Sequence, residues 1–125
     1  MSKRILVVDD NATNLKLASV VLEMEGYEVL HAEDADDALA RLHESVPDLI
    51  LMDIALPGMD GLELTRLIKT NPQTSAIPIV ALSAFAMKGD EEKAMASGCN
   101  GYITKPINTR TFPAQVLAYL KKGDL

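Results

Sequence analysis

The sequence predicts an α/β domain in which a parallel sheet of five strands is covered by helices on both faces. Three observations carry that expectation. Continuous apolar runs rich in β-branched residues recur along the chain, as strands buried on both faces require. Segments with helical spacing separate them, so strand and helix alternate five times, a pattern that packs as a parallel sheet with right-handed crossovers. The strongest runs also end in acidic or hydroxyl residues, and sheets of this kind bind their ligands at the carboxyl ends of the strands.

Ile5 to Val8 is the first strand and runs into Asp9 and Asp10. Leu49 to Met52 repeats the design and ends at Asp53, and Ile77 to Leu82 ends at Ser83, with Pro78 tolerable only near the start of its strand. Glu28 to Ala32 and Gly101 to Thr104 are shorter and weaker strands. Helical spacing appears at Leu15, Ala18 and Leu22, at Ala38, Leu39 and Leu42, at Leu64, Leu67 and Ile68, and at Val116, Leu117 and Leu120. Gly26 and Gly98 fall where helix C-caps belong, and Asn108 or Thr109 is placed to open the last helix. Met87 to Ser97 has the poorest pattern, since Gly89 interrupts it and only Ala94 and Met95 are clearly apolar; it is still read as a helix.

The chain of 125 residues has the size of one domain, spanning 1–125. At 48% hydrophobic and 24% charged residues it is close to the globular average, which argues against disorder. No apolar run approaches the ~20 residues a bilayer requires, and Asp9 and Asp10 interrupt the N-terminal stretch too early for a secretory signal. The expected compartment is the cytoplasm. Cys99 is the sole cysteine, which excludes an internal disulfide and a thiolate metal site; it reads as a small buried hydrophobe. A net charge of −6 repels phosphate backbones, so nucleic acid is not an expected partner.

The predicted strand ends gather Asp9, Asp10, Asp53, Ser83 and Lys105 at one edge of the sheet. Taken singly, each has an ordinary explanation, because Asp and Ser cap helices and lysines decorate loops. Taken together they do not, because three clustered carboxylates repel one another unless a cation offsets the charge. Magnesium suits such oxygen ligands and bridges to phosphate oxygens, with manganese an alternative. Lys105 supplies a second positive charge for a phosphoryl oxygen, Ser83 a hydroxyl donor, and an aspartate here can attack phosphorus to form an acyl phosphate.

VVDDN at 7–11, LILMDIALPGMDG at 49–61, ALSAF at 81–85 and GYITKPI at 101–107 resemble the receiver domains of response regulators, the CheY-like superfamily, over essentially the whole chain. SAFAMKGDEE at 83–92 with Gly98-Cys99 is most similar to single-domain cell-cycle regulators of the DivK type. The resemblance implies a flavodoxin-like (βα)5 fold with strand order 2-1-3-4-5. It implies that Asp53 accepts a phosphoryl group from a phosphohistidine on a sensor histidine kinase or histidine phosphotransfer protein, in a two-component phosphorelay. Asp10 and Asp53 would ligate magnesium, Asp9 would act largely through bound water, and the Ala55 carbonyl would complete the protein ligands. Ser83 and Lys105 would hold phosphoryl oxygens, Tyr102 matches the family's switch aromatic, and the Lys105-Pro106 peptide is expected to be cis. The residues flanking the site, small Ala55 and bulky Phe85, are positions that tune dephosphorylation in the family. The output would be binding to a downstream protein by a monomer or weak dimer, not catalysis of an external reaction.

Other readings are weaker. A haloacid-dehalogenase-type magnesium phosphatase carries a second acid two residues after its nucleophile, where this chain has Ala55. A flavin-binding relative would need a phosphate-cradling loop after the first strand. A constitutive binding module would not need the acidic cluster and Lys105, whereas a receiver module excised from a hybrid histidine kinase would share every motif. His31 and His43 sit in no recognisable kinase motif, and Glu33 to Asp37 reads as a solvated helix start. Leu17, Val20, Val21 and Met24 make the first helix more apolar than one buried face requires, which fits either a wide core stripe or a docking surface.

Overall fold

The computed structural model describes residues 3–56, 58–83 and 88–123. Strand and helix alternate as β1 (Arg4–Val8), α1 (Ala12–Met24), β2 (Glu28–Ala32), α2 (Ala35–Glu44), β3 (Leu49–Asp53), α3 (Gly61–Thr70), β4 (Ile79–Ser83), α4 (Lys88–Ala96), β5 (Gly101–Thr104) and α5 (Phe112–Gly123). All four strand pairings are parallel and the order across the sheet is β2-β1-β3-β4-β5, as expected.

Strands β1, β3 and β4 are apolar over most of their length because both faces are covered, and their two-residue period divides them between two cores. Leu6, Val8, Ile50, Met52, Ile79 and Ala81 face α2, α3 and α4, where Ala38, Leu42, Leu64, Ile68 and Ala94 meet them. Ile5, Val7, Leu49, Leu51, Val80, Leu82 and Ile103 face α1 and α5, against Leu15, Leu22, Phe112 and Val116. Each fully buried aliphatic side chain of this size stabilises the fold by about 1.5–3 kcal/mol, so these two layers fix the sheet on which the site is built. Cys99 belongs to the first core, as its bland reading predicts.

Helix boundaries follow local chemistry. Asn11, Asp34 and Asp60 cap α1, α2 and α3, each accepting a hydrogen bond from the backbone N–H three residues on. Gly26 and Gly98 have φ of 91° and 109°, in keeping with their predicted place at helix C-termini.

Two expectations need correction. The fourth strand begins at Ile79, because Ile77 closes a turn, its N–H donating to the Thr74 carbonyl, and Pro78 has no N–H to give a ladder. The last helix begins at Phe112: Asn108 instead starts a turn, its side chain accepting from Arg110 N–H and its carbonyl from Thr111 and Phe112 N–H. In α4, Ala94 is buried but Met95 is 48% exposed, so the helix meets the core through a narrower contact than its two apolar residues suggest. Met87, taken as the start of that helix, lies outside the described residues. In α1 the apolar excess divides: Val21 packs against the core, whereas Leu17, Val20 and Met24 are exposed.

Candidate functional site

Register explains how distant residues become neighbours. Val8 pairs with Met52, so Asp9, one residue on, is level with Asp53 across the sheet. Asp53 pairs with Leu82 and Ser83 with Thr104, which brings Ser83 and the following Lys105 to the same edge. The chain leaves β1 for β2 on one side and returns to β3 on the other, so the crevice between the ends of β1 and β3 is the topological switch point where ligands of such sheets bind.

Asp9, Asp10 and Asp53 each place a carboxylate oxygen there, all within 4.8 Å of one another; Asp9 and Asp53 are buried and Asp10 is exposed. The two buried aspartates are held alike. Asp9 Oδ1 accepts from Asn11 N–H at 2.9 Å and Asp53 Oδ1 from Ala55 N–H at 3.0 Å. Their Oδ2 atoms share the Lys105 ammonium, at 2.7 Å from Asp9 and 3.3 Å from Asp53. The strand ends therefore present aligned carboxylates whose charges a single lysine partly offsets.

Burial pushes the Asp53 carboxyl above its ordinary range; the Ala55 N–H and Lys105 pull it back only in part, and the Asp9 charge adds to the rise. Burial works against the Lys105 ammonium, but the hydrogen bond to Asp9 and the charges of Asp53 and Asp9 together outweigh it, so its pKa is raised. Lys105 thus remains a firm cation, while the excess negative charge at Asp9, Asp10 and Asp53 leaves room for another one. Three carboxylates on one crevice are a hard-oxygen donor set, which fits magnesium or manganese.

Ser83 is buried at the end of β4, and its carbonyl accepts from Lys105 N–H at 2.7 Å. Tyr102 is half-buried on β5 and packs against the α2–α4 side of the core. Lys105-Pro106 is cis. Phe85 lies outside the described residues. The backbone amides of Asn11 and Ala55 were not foreseen as carboxylate donors, although aspartate's habit of bonding the N–H two residues on was a usable signal.

Residues 5–117 match the family model of the response regulator receiver domain. The chain belongs to that family. It is 44% identical over 124 residues to the polar-differentiation response regulator DivK of Brucella ovis, covering 99% of each chain. Among solved structures it resembles a putative response regulator from Chloroflexus aurantiacus, with a TM-score of 0.93, 30% identity and coverage of 97% of this chain and 99% of that one. It also resembles the chemotaxis response regulator CheY4 of Vibrio cholerae, with a TM-score of 0.90, 28% identity and coverage of 95% and 99%. The chain is a receiver domain of two-component signalling, similar to DivK-type single-domain regulators. Among the described residues no helix is long and apolar enough to cross a membrane.

Proposed function

We propose that residues 1–125 form one receiver domain whose Asp53 accepts a phosphoryl group from a phosphohistidine on a sensor histidine kinase or histidine phosphotransfer protein. The observation that carries this reading is the shared contact of Lys105 with Asp9 and Asp53 at the switch point. A carboxylate oxygen of Asp53 attacks phosphorus, the new O–P bond forms, and the N–P bond breaks with its electron pair returning to the imidazole. Asp9, Asp10, Asp53 and the Ala55 carbonyl would hold a magnesium or manganese ion, which when bound would neutralise charge on the transferring group. Lys105 and Ser83 bind phosphoryl oxygens, and Lys105 serves both the transfer and the later hydrolysis that resets the domain.

The phosphoryl group brings about −1.5 to −2 charges and three acceptor oxygens. Ser83 is the hydroxyl placed to donate to one of them, and its inward movement lets Tyr102 on the neighbouring strand follow. The α4–β5–α5 face then changes its affinity for a downstream protein target. The domain acts in the cytoplasm as a monomer or weak dimer, and its acidity disfavours nucleic acid. The exposed Leu17, Val20 and Met24 of α1 offer an apolar surface to the phosphodonor.

Intact-mass spectrometry after treatment with an acyl phosphate donor should show one added phosphoryl group with magnesium and none without. Full incorporation into Asp53→Asn would remove Asp53 as the acceptor.

A further inference from the structure

We propose that Gly61 is a positioning residue for the Asp53 carboxylate, because only a residue without a side chain lets the first turn of α3 lie on the peptide that follows the acceptor. This rests on the reading of Asp53 as phosphoacceptor. A Cβ at position 61 would sit 2.3 Å from the Asp53 carbonyl oxygen, 2.7 Å from Ile54 Cα and 3.0 Å from the Asp53 carbonyl carbon. All three are backbone atoms, so no rotamer relieves the overlap. The requirement differs from that at Gly58, whose φ of +71° is the constraint and whose surroundings are open. At Gly61 it is closeness of approach.

That closeness shapes the acceptor. Gly61 N–H donates to the Ile54 carbonyl at 3.2 Å, while Ile54 N–H donates to the Leu82 carbonyl at 3.2 Å, so Ile54 is pinned between α3 and β4. The start of the connection, residues 54–56, begins at this pin and carries the Ala55 N–H that fixes Asp53 Oδ1. β3 is paired on both edges, so an added methyl displaces the connection and the start of α3 and leaves the strand in place. The Ala55 N–H then leaves Oδ1, and the carboxylate loses the orientation that turns Oδ2 toward Lys105. Thr65 Oγ1, donating to the Gly61 carbonyl at 2.8 Å, and Asp60, capping the helix, hold the first turn of α3 against this contact.

The test compares wild type, Gly61→Ala, and the pair Ile68→Val and Ile68→Ala, which lower stability to different degrees from the far end of the same helix. Two quantities are read: the rate of phosphoryl incorporation from acetyl phosphate with magnesium, and the exchange protection of the Ala55 amide by proton–nitrogen NMR without donor or metal. Gly61→Ala should lose incorporation rate on the order of 100-fold, the scale of about 1 Å of misplacement, and lose Ala55 protection. The Ile68 variant matched to it in urea should keep both. Retention of rate and protection in Gly61→Ala overturns the inference, as does an equal loss in the matched Ile68 variant. Should Gly61→Ala not fold, Asp60→Ala loosens the same turn, and wild-type Ala55 protection in that variant overturns the inference. If wild type itself takes up no phosphoryl group, the acceptor reading fails, and the positioning of Asp53 by Gly61 is decided by the Ala55 amide alone.

Discussion

Helices α3 and α4 follow the two strands that end at Asp53 and Ser83, yet they are fastened very differently. α3 is capped by Asp60, buries Gly61, Leu64, Thr65 and Ile68, and is tied at its far end by Lys69, whose ammonium donates to the carbonyls of Ser75 at 3.3 Å and Ile77 at 2.5 Å. In α4, Ala94 alone is buried among the side chains described, and Met95 lies largely in solvent. Few buried apolar contacts mean a low cost of local opening. The contrast fits the proposed switch, in which α3 behind Asp53 stays fixed and α4 behind Ser83 is repositioned. A phosphoryl group biases only an element that has two accessible arrangements.

The comparison is sharpest in stability. Leu64→Ala should cost about 2–5 kcal/mol as a core truncation, whereas Ala94→Gly should cost about 2 kcal/mol, from one buried methyl and helix propensity together. Urea unfolding measures both, and equal losses would break the contrast. Next in size is the tie at Lys69. Lys69→Met keeps the stem but leaves the Ser75 and Ile77 carbonyls without their shared donor, an expected loss of about 1–3 kcal/mol in the same experiment.

A smaller effect concerns pH. Because the folded-state pKa of Asp53 is raised, mainly by burial, the unfolded chain releases this proton at lower pH than the folded one. The group therefore contributes nothing below the ordinary value of 3.8 and costs stability as pH rises from there through the folded value. In metal-free buffer the urea midpoint of Asp53→Asn should gain on that of wild type across this window and hold a constant lead above it. A gap independent of pH would mean that the aspartate is not strained in its pocket.

Much of this was legible before any coordinates. Runs such as Leu49 to Met52 announce themselves as strands because burial on both faces leaves no polar positions, and Asp9, Asp10 and Asp53 announce the site because a parallel sheet sends its strand ends to one edge. Lys105 was found because it follows the fifth strand to the same edge, although nothing in its local pattern says that it reaches Asp9, 96 residues away. α4 was hard to delimit for a physical reason: a helix lightly attached to the core has little apolar periodicity to read. The Lys69 tie depends on the path of a loop, and the close approach at Gly61 on the packing of α3 against β3. Neither leaves a periodic trace. Likewise, Ser19 Oγ donates to the Leu15 carbonyl at 2.6 Å and meets His31 Nε2 at 2.5 Å, a pairing between α1 and β2 that no spacing rule reveals.

Hydrogen exchange with and without beryllium fluoride and magnesium tests the central claim most directly, that a group on Asp53 is read out through α4 and β5 while α3 stays fixed. Beryllium fluoride mimics the phosphoryl group by coordinating the carboxylate oxygen. In wild type, protection should change in α4 and β5 and stay constant through residues 64–70 of α3, and Asp53→Asn should show neither change. A shift concentrated in α3 with α4 and β5 unaltered, or the same shift in Asp53→Asn, would contradict the account.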